Sequence, residues 1–515
     1  MKIDPRTPCI IGVAAHTWHP EEVGAAGAPE PLEMWEHVAR HAASDAFASS
    51  HGATKSPGPD LLADLDSIQI VYCQTWQYDD AVARLAERIG ADPRHRHYSG
   101  IGGTTTQQLV NETSEAMLRG EMDLALITSA EALATKRTRK REGQRWVGSF
   151  PPADKRPFPW ESPPDPVEVA HEVFQAWLTF AVFDSARRAE LGIGLDDYRA
   201  EIGEMLAPMT KIAARNPNAW YRIERSAREI VEPRPDNRMV GYPYTKYMVS
   251  VMDVDMAGAL VLATHERADA LGVPAEQRVY PRGWCYARDP VLVAEHPDLG
   301  RSPAMAAAAA EALRAANLNI DDVGHLDLYS CFPSSLHFAR DALGLAADDS
   351  RGLTVTGGLP YHGGPASGYL THSIAAIIEK LRADRDTAGI VSGVGMHMTK
   401  HVFGVYAATP GPVAPPDANE AQRVADANGR ARVVAEHDGE ATVGAYSVVH
   451  GRDGRPEWAL LVCDLADGPR TYAQVRDPAL CLAAESSELV GTTVRLETRT
   501  LTGPAGEQRV NLASW

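Results

Sequence analysis

A chain of 515 residues with 44% hydrophobic and 23% charged residues is long enough for roughly two to four domains and excludes a wholly disordered polymer. Its formal net charge of −18 opposes broad electrostatic binding to nucleic acid or to an anionic membrane. Cys9, Cys73, Cys285, Cys331, Cys463 and Cys481 are scattered with no Cys-x-x-Cys pair, so neither a disulfide framework nor a metal site is expected, and a reducing cytoplasm is the expected compartment. The opening MKIDPRTPCIIGVAAH has only a short apolar run after Cys9, too short for a secretion signal, and no later run reaches membrane-spanning length.

Residues 8–15 read as a buried strand and 32–50 as an amphipathic helix, with Leu32, Trp35, Val38 and Ala42 recurring at helical spacing. A strand at 67–72 follows, then a Gly-rich turn at 100–103, a helix over 105–119 and a short apolar strand at 123–128. This alternation predicts a parallel sheet covered by helices on both faces. Residues 134–165 break the pattern with the basic run Lys136–Arg145 and a Pro-rich stretch, whereas 167–231 read as largely helical. Apolar alternation resumes at 247–263, with a helix after it.

A second α/β unit occupies about 278–406, with a helix at 303–316, a strand at 324–329, a helix from Pro333, a Gly-rich turn at 357–364, a helix at 367–383 and a strand at 388–392. The order Gly-rich turn, helix, apolar strand thus occurs twice, near 100–130 and near 357–393. Residues 408–420 have linker composition. Beyond them, short β runs at 430–437, 441–450, 456–465, 470–475, 489–501 and 510–514, punctuated by Asp-Gly signals, predict a small antiparallel barrel, OB-like in size.

The duplicated halves with an inserted helical region resemble the thiolase superfamily. The resemblance lies in Gly103–Glu131, Val254–Leu262, Tyr329–Phe332 and Gly357–Ser373. The Tyr-Ser-Cys-Phe run resembles the His-Asp-Cys-Phe block of sterol-carrier-type thiolases, and the C-terminal β region resembles that of the mycobacterial type 1 thiolase-like proteins. The resemblance implies a duplicated five-layered αβαβα core that binds coenzyme A thioesters. In domain terms, residues 1–277 are the first half with an insertion at about 134–245, 278–407 the second half, 408–420 a linker, and 421–515 the barrel. Proteolysis within 408–420 is expected to release that barrel.

A thiolase uses a cysteine nucleophile at a helix start, a Gly-His-Pro histidine, a Cys-x-Gly cysteine and an oxyanion-forming histidine. By the resemblance these positions fall on Gly103, Gly364, Val391 and Tyr329, none of which keeps the required side chain. Loss of a covalent nucleophile alone costs roughly 10⁶ in kcat. The sequence therefore points to an acyl-CoA-binding protein without thiolase chemistry. Two enzymatic alternatives stay open. One is retro-aldol cleavage of a β-hydroxyacyl-CoA from lipid or steroid side chains, with Tyr329 or Tyr361 as acid/base groups. The other is acyl transfer through Cys331.

Tyr329, Cys331, Tyr361 and His362 are the candidate reactive residues, each with an ordinary core role as its bland alternative. Thr104 sits at a helix start that could offer N–H groups to a ligand, and Arg137, Arg139 and Lys140 could meet coenzyme A phosphates. No resident cofactor is expected, the coenzyme A thioester being a ligand. Dimer and monomer both remain open, since thiolases dimerise but the extra domain alters the surface.

Overall fold

The computed structural model describes residues 3–48, 61–161, 164–503 and 506–515. Positions 49 and 50 of the expected first helix, and Ser162 and Pro163 of the Pro-rich stretch, lie outside them. Two sheets repeat one design. The first runs in spatial order Pro8–Thr17, Asp255–Thr264, Leu124–Ala132, Ser67–Ile70, His95–Tyr98. The second runs Tyr280–Arg288, Lys400–Ala407, Ala388–Gly395, Val323–Asp327. From the first strand of each order, successive pairings are antiparallel, antiparallel and parallel in both sheets.

The expected all-parallel sheet is therefore corrected to a mixed one. In the second half the reason is local: residues 396–399 join two neighbouring strands and are too few for the crossover that parallel pairing requires. The internal repeat read from the sequence is real at the level of strand order.

Helices fill the remaining layers. Pro31–Asp45 and Ala81–Ile89 cover the outside of the first sheet, and Pro303–Ala316 covers the second with Pro333–Leu343 packed beside it. Thr105–Leu118 and Tyr369–Ala383 lie between the sheets. Tyr369–Ala383 is buried almost all round through Ile378, as a helix with a sheet on either side must be. Local signals fix these ends. Asp80 accepts from the Ala83 N–H and Gly90 closes that helix with φ 74°, while Ser302 caps Pro303–Ala316 through the Met305 N–H.

The insertion holds helices Leu133–Arg141, Pro166–Ala170, Ala176–Glu190, Leu195–Arg215 and Ala227–Val231. The basic run lies mostly on the first of these rather than on a loop, and residues 142–161 carry no regular structure.

The C-terminal barrel has strands Gly439–His450, Pro456–Asp464, Arg470–Val475, Thr493–Gly503 and Gly506–Ser514. Gly439–His450 pairs with both Pro456–Asp464 and Thr493–Gly503, and Arg470–Val475 meets Gly506–Ser514, which closes the ring. Two details differ from the sequence reading. The closing pair Gln474–Leu512 is parallel, and the run 430–437 contributes only an isolated bridge at Val433. A helix, Pro478–Ser486, separates the third and fourth strands.

The barrel is knitted to the insertion. Strand Met239–Gly241 pairs with Gly439–His450, Arg188 binds Glu488 in a two-pronged ion pair, and the Asn511 N–H donates to His171 Nε2. Helix Ala418–Asp426 packs on Pro303–Ala316, so its residues sit against the second half.

Candidate active site

The start of Thr105–Leu118 and the end of Val323–Asp327 converge on a cavity of about 830 Å³. Gly102 and Gly103 line it from the first half, and Tyr329, Cys331, Phe332, Leu359 and Gly364 from the second. The insertion supplies the opposite wall, an apolar surface that includes Val173, Trp177 and Phe180. Exposed Phe158, Trp160 and Phe174 line its outer part. The size and largely apolar lining are those of an organic-ligand site.

Tyr329 is 6% exposed, and its hydroxyl has no hydrogen-bond partner among the described residues. Its backbone N–H is fixed by donation to Ser392 Oγ at 2.9 Å, and its ring stands edge-on to Tyr369. Burial, with Cys331 adding to it, raises its pKa well above the ordinary tyrosine value, so the phenol stays protonated and can only donate or accept a hydrogen bond. Gly103 sits directly opposite. A Cβ on Gly103 would overlap the Tyr329 hydroxyl and the Val394 carbonyl oxygen.

Cys331 also lines the cavity, but burial pushes its thiol up to about 12 and its Sγ donates toward Ser335 Oγ at 3.7 Å. It is a protonated thiol at neutral pH. A side chain at Gly364 would overlap Ser250 Oγ, so a hydroxyl now fills the space beside that backbone.

The other expected site residues lie elsewhere. Tyr361 is buried, its hydroxyl is unpartnered among the described residues, and it is absent from the cavity lining. His362, adjacent to it, lines a different cavity. Tyr361 and His362, expected as reactive candidates, therefore lie outside the Tyr329 cavity, and the His362 ring packs edge-on against Tyr369. Val391 is buried in mid-strand opposite Asp327, and the residues of that strand that reach the cavity are Val394 and Gly395.

The Thr104 hydroxyl binds Gln108 Oε1 at 2.9 Å and caps nothing. Arg137 pairs with Asp253, Arg139 lies over the Trp146 ring and donates to the Ala26 carbonyl, and Lys140 is not in the cavity lining either.

Two cavity groups escape a reading by motif. His397 follows the strand Ala388–Gly395; its Nδ1 is 2.8 Å from Thr179 Oγ1, and burial lowers its pKa to about 4. Glu168 accepts from the Tyr472 hydroxyl at 2.7 Å and the Val293 N–H at 2.9 Å, and burial raises its carboxyl to about 7 despite those bonds. A clue to this wall was the aromatic run VFQAWLTFAVF at 173–183, richer in large apolar groups than one buried helix face needs.

Comparison with solved structures decides the family. The crystal structure of a monomeric SCP2-thiolase-like protein type 1 from Mycobacterium smegmatis aligns over 100% of both chains with a TM-score of 0.83 and 30% sequence identity. The chain belongs to the SCP2-thiolase-like proteins. An Ltp2-ChsH2(DUF35) aldolase matches this thiolase-like protein at TM-score 0.58 and 16% identity, over 78% of this chain and 98% of that one. Human mitochondrial 3-ketoacyl-CoA thiolase in complex with CoA matches at TM-score 0.55 and 13% identity, over 79% and 99%. Both distant matches establish the shared thiolase fold. No protein-family model and no curated protein matches the chain. Among the described residues, no helix is long and apolar enough to cross a membrane and no cluster of His, Cys, Asp or Glu is arranged to hold a metal ion.

Proposed function

We propose that this thiolase-like protein binds an acyl-CoA thioester in the Tyr329 cavity and performs no thiolase chemistry. The observation that carries this reading is the Tyr329 hydroxyl, protonated and unpartnered, in the space a side chain at Gly103 would take. A hydroxyl there can donate to a thioester carbonyl, while nothing at position 103 can form an acyl-enzyme. The apolar wall from Val173 to Phe180 accommodates the acyl chain. Cys331 does not replace the nucleophile, because its thiol is held protonated.

Titration calorimetry with octanoyl-CoA tests the reading. Binding is expected, with Tyr329→Phe weakening it by about tenfold, the order of one hydrogen bond lost from a buried carbonyl. Absence of binding at millimolar ligand, or identical affinity in the variant, argues against it.

His397 favours retro-aldol cleavage as a second reading. Its neutral ring lies in the same cavity as the Tyr329 phenol. In that reaction His397 takes the β-hydroxyl proton, the Cα–Cβ bond breaks to leave a carbonyl compound, and Tyr329 stabilises the enolate oxygen of the remaining acyl-CoA. Turnover of a branched β-hydroxyacyl-CoA that is lost in His397→Gln supports it, whereas binding without turnover leaves the binder.

A further inference from the structure

A second cavity, of about 550 Å³, opens on the other side of Tyr369. Its floor holds His362 and His372, each 1% exposed, with ring centroids 5.2 Å apart. Its rim carries Lys211, Arg215 and Lys380, all solvent-exposed and without an ion-pair partner among the described residues, and a single carboxylate, Glu379. The lining is thus net cationic.

The floor has a defined hydrogen-bond demand. Asn216 Oδ1 accepts from the Asn218 N–H at 2.9 Å, and Asn216 Nδ2 donates to the Thr356 carbonyl at 2.9 Å. That fixes the amide, so Nδ2 is also the atom 3.2 Å from His362 Nδ1 and must donate to it. Burial keeps His362 neutral, and a neutral ring whose Nδ1 accepts carries its proton on Nε2. Among the described residues that Nε2–H is buried without an acceptor, and both ring nitrogens of His372 are likewise unpartnered. Buried donors left unmatched are uncommon, and an acceptor oxygen entering this cavity would match them.

We propose that this cavity is a binding site for a small organic oxyanion, a phosphate or carboxylate compound, held by Lys211, Arg215 and Lys380 at its charged end and by His362 Nε2–H at an acceptor oxygen within. The site is separate from the Tyr329 cavity, shares no lining residue with it and does not depend on what that cavity binds.

The full-length protein, labelled with 13C at histidine Cε1, is titrated with ribose 5-phosphate and, separately, with citrate. The His362 and His372 resonances are assigned by His362→Gln and His372→Gln. Saturable shifts of both are expected with one ligand or the other, and which one responds names the phosphate or carboxylate source. The double variant Lys211→Ala/Arg215→Ala alters exposed positions only and should weaken the response at least tenfold while leaving octanoyl-CoA affinity unchanged. No histidine shift with either probe at 10 mM, or an undiminished response in the double variant, overturns the proposal. Octanoyl-CoA binding measured on the same sample shows separately whether the first cavity works.

Discussion

The Tyr329 hydroxyl and Gly103 share one volume: a Cβ on Gly103 and the phenol oxygen of Tyr329 cannot both be present without displacement. The two residues come from different halves of the duplicated fold, so their fit is a contact across the middle of the molecule. Gly103→Ala should therefore destabilise by about 1–3 kcal/mol, the range for overpacking a filled interior. Tyr329→Phe in the same chain should recover only part of that loss, because the ring Cζ and the Val394 carbonyl oxygen still crowd the added Cβ. Urea unfolding of the two single variants and the double variant measures the coupling directly.

Cys331 supplies a second prediction. A thiol held at about 12 is almost wholly protonated at pH 7.5, so incubation with acetyl-CoA should leave no acetyl mass on the protein. Thiolysis of acetoacetyl-CoA should likewise not rise above background. A stoichiometric adduct mapped to Cys331 by mass spectrometry would sink both statements and restore acyl transfer.

The fold was largely legible because its signals are local. Ser302 with Pro303 and Pro333 announce helix starts, and the apolar runs at 124–132 and 388–395 announce buried strands. The site was legible in part. Gly103 and Tyr329 could be named because neighbouring residues keep a recognisable order, and both line the cavity. Tyr361 and His362 were misplaced because the direction of a ring in a Gly-rich turn depends on backbone angles, such as φ 109° at Gly357 and 108° at Gly363, which spacing does not reveal. Glu168 and His397 were invisible because their meaning comes from contacts made hundreds of positions away, with Tyr472 and Thr179.

The barrel's attachment changes the expected proteolysis result. Cleavage in 410–417, which carries no regular structure, cuts the chain between the second half and the barrel. Yet Arg188–Glu488, His171–Asn511 and the pairing of Val449 with Gly241 hold the barrel to the insertion. We expect the nicked protein to elute as one species in native size-exclusion chromatography and to separate into two fragments only in denaturant. Elution of a free barrel without denaturant would contradict this and agree with a wholly independent domain.

Glu168 joins the barrel to the cavity wall, and its titration makes that join pH-dependent. Its carboxyl is raised from an ordinary 4.5 to about 7, chiefly by burial, against the opposing pull of the bonds from Tyr472 and Val293. Below about pH 4.5 the group is protonated in both folded and unfolded chains and has no effect on their balance. Between about 4.5 and 7 the unfolded chain releases the proton while the folded chain keeps it, so stability falls as pH rises. Above about 7 both states are ionised and the loss is complete, on the order of 3 kcal/mol for a shift of this size. Glu168→Gln keeps an oxygen that can accept from Tyr472 and Val293 but has no proton to lose. The difference in unfolding free energy between wild type and E168Q, measured in urea from pH 4.5 to 8, should therefore move steadily in favour of the variant and level off above pH 7. A difference that stays flat across that range would show that the carboxyl is solvated in the folded protein and that the wall around it is open.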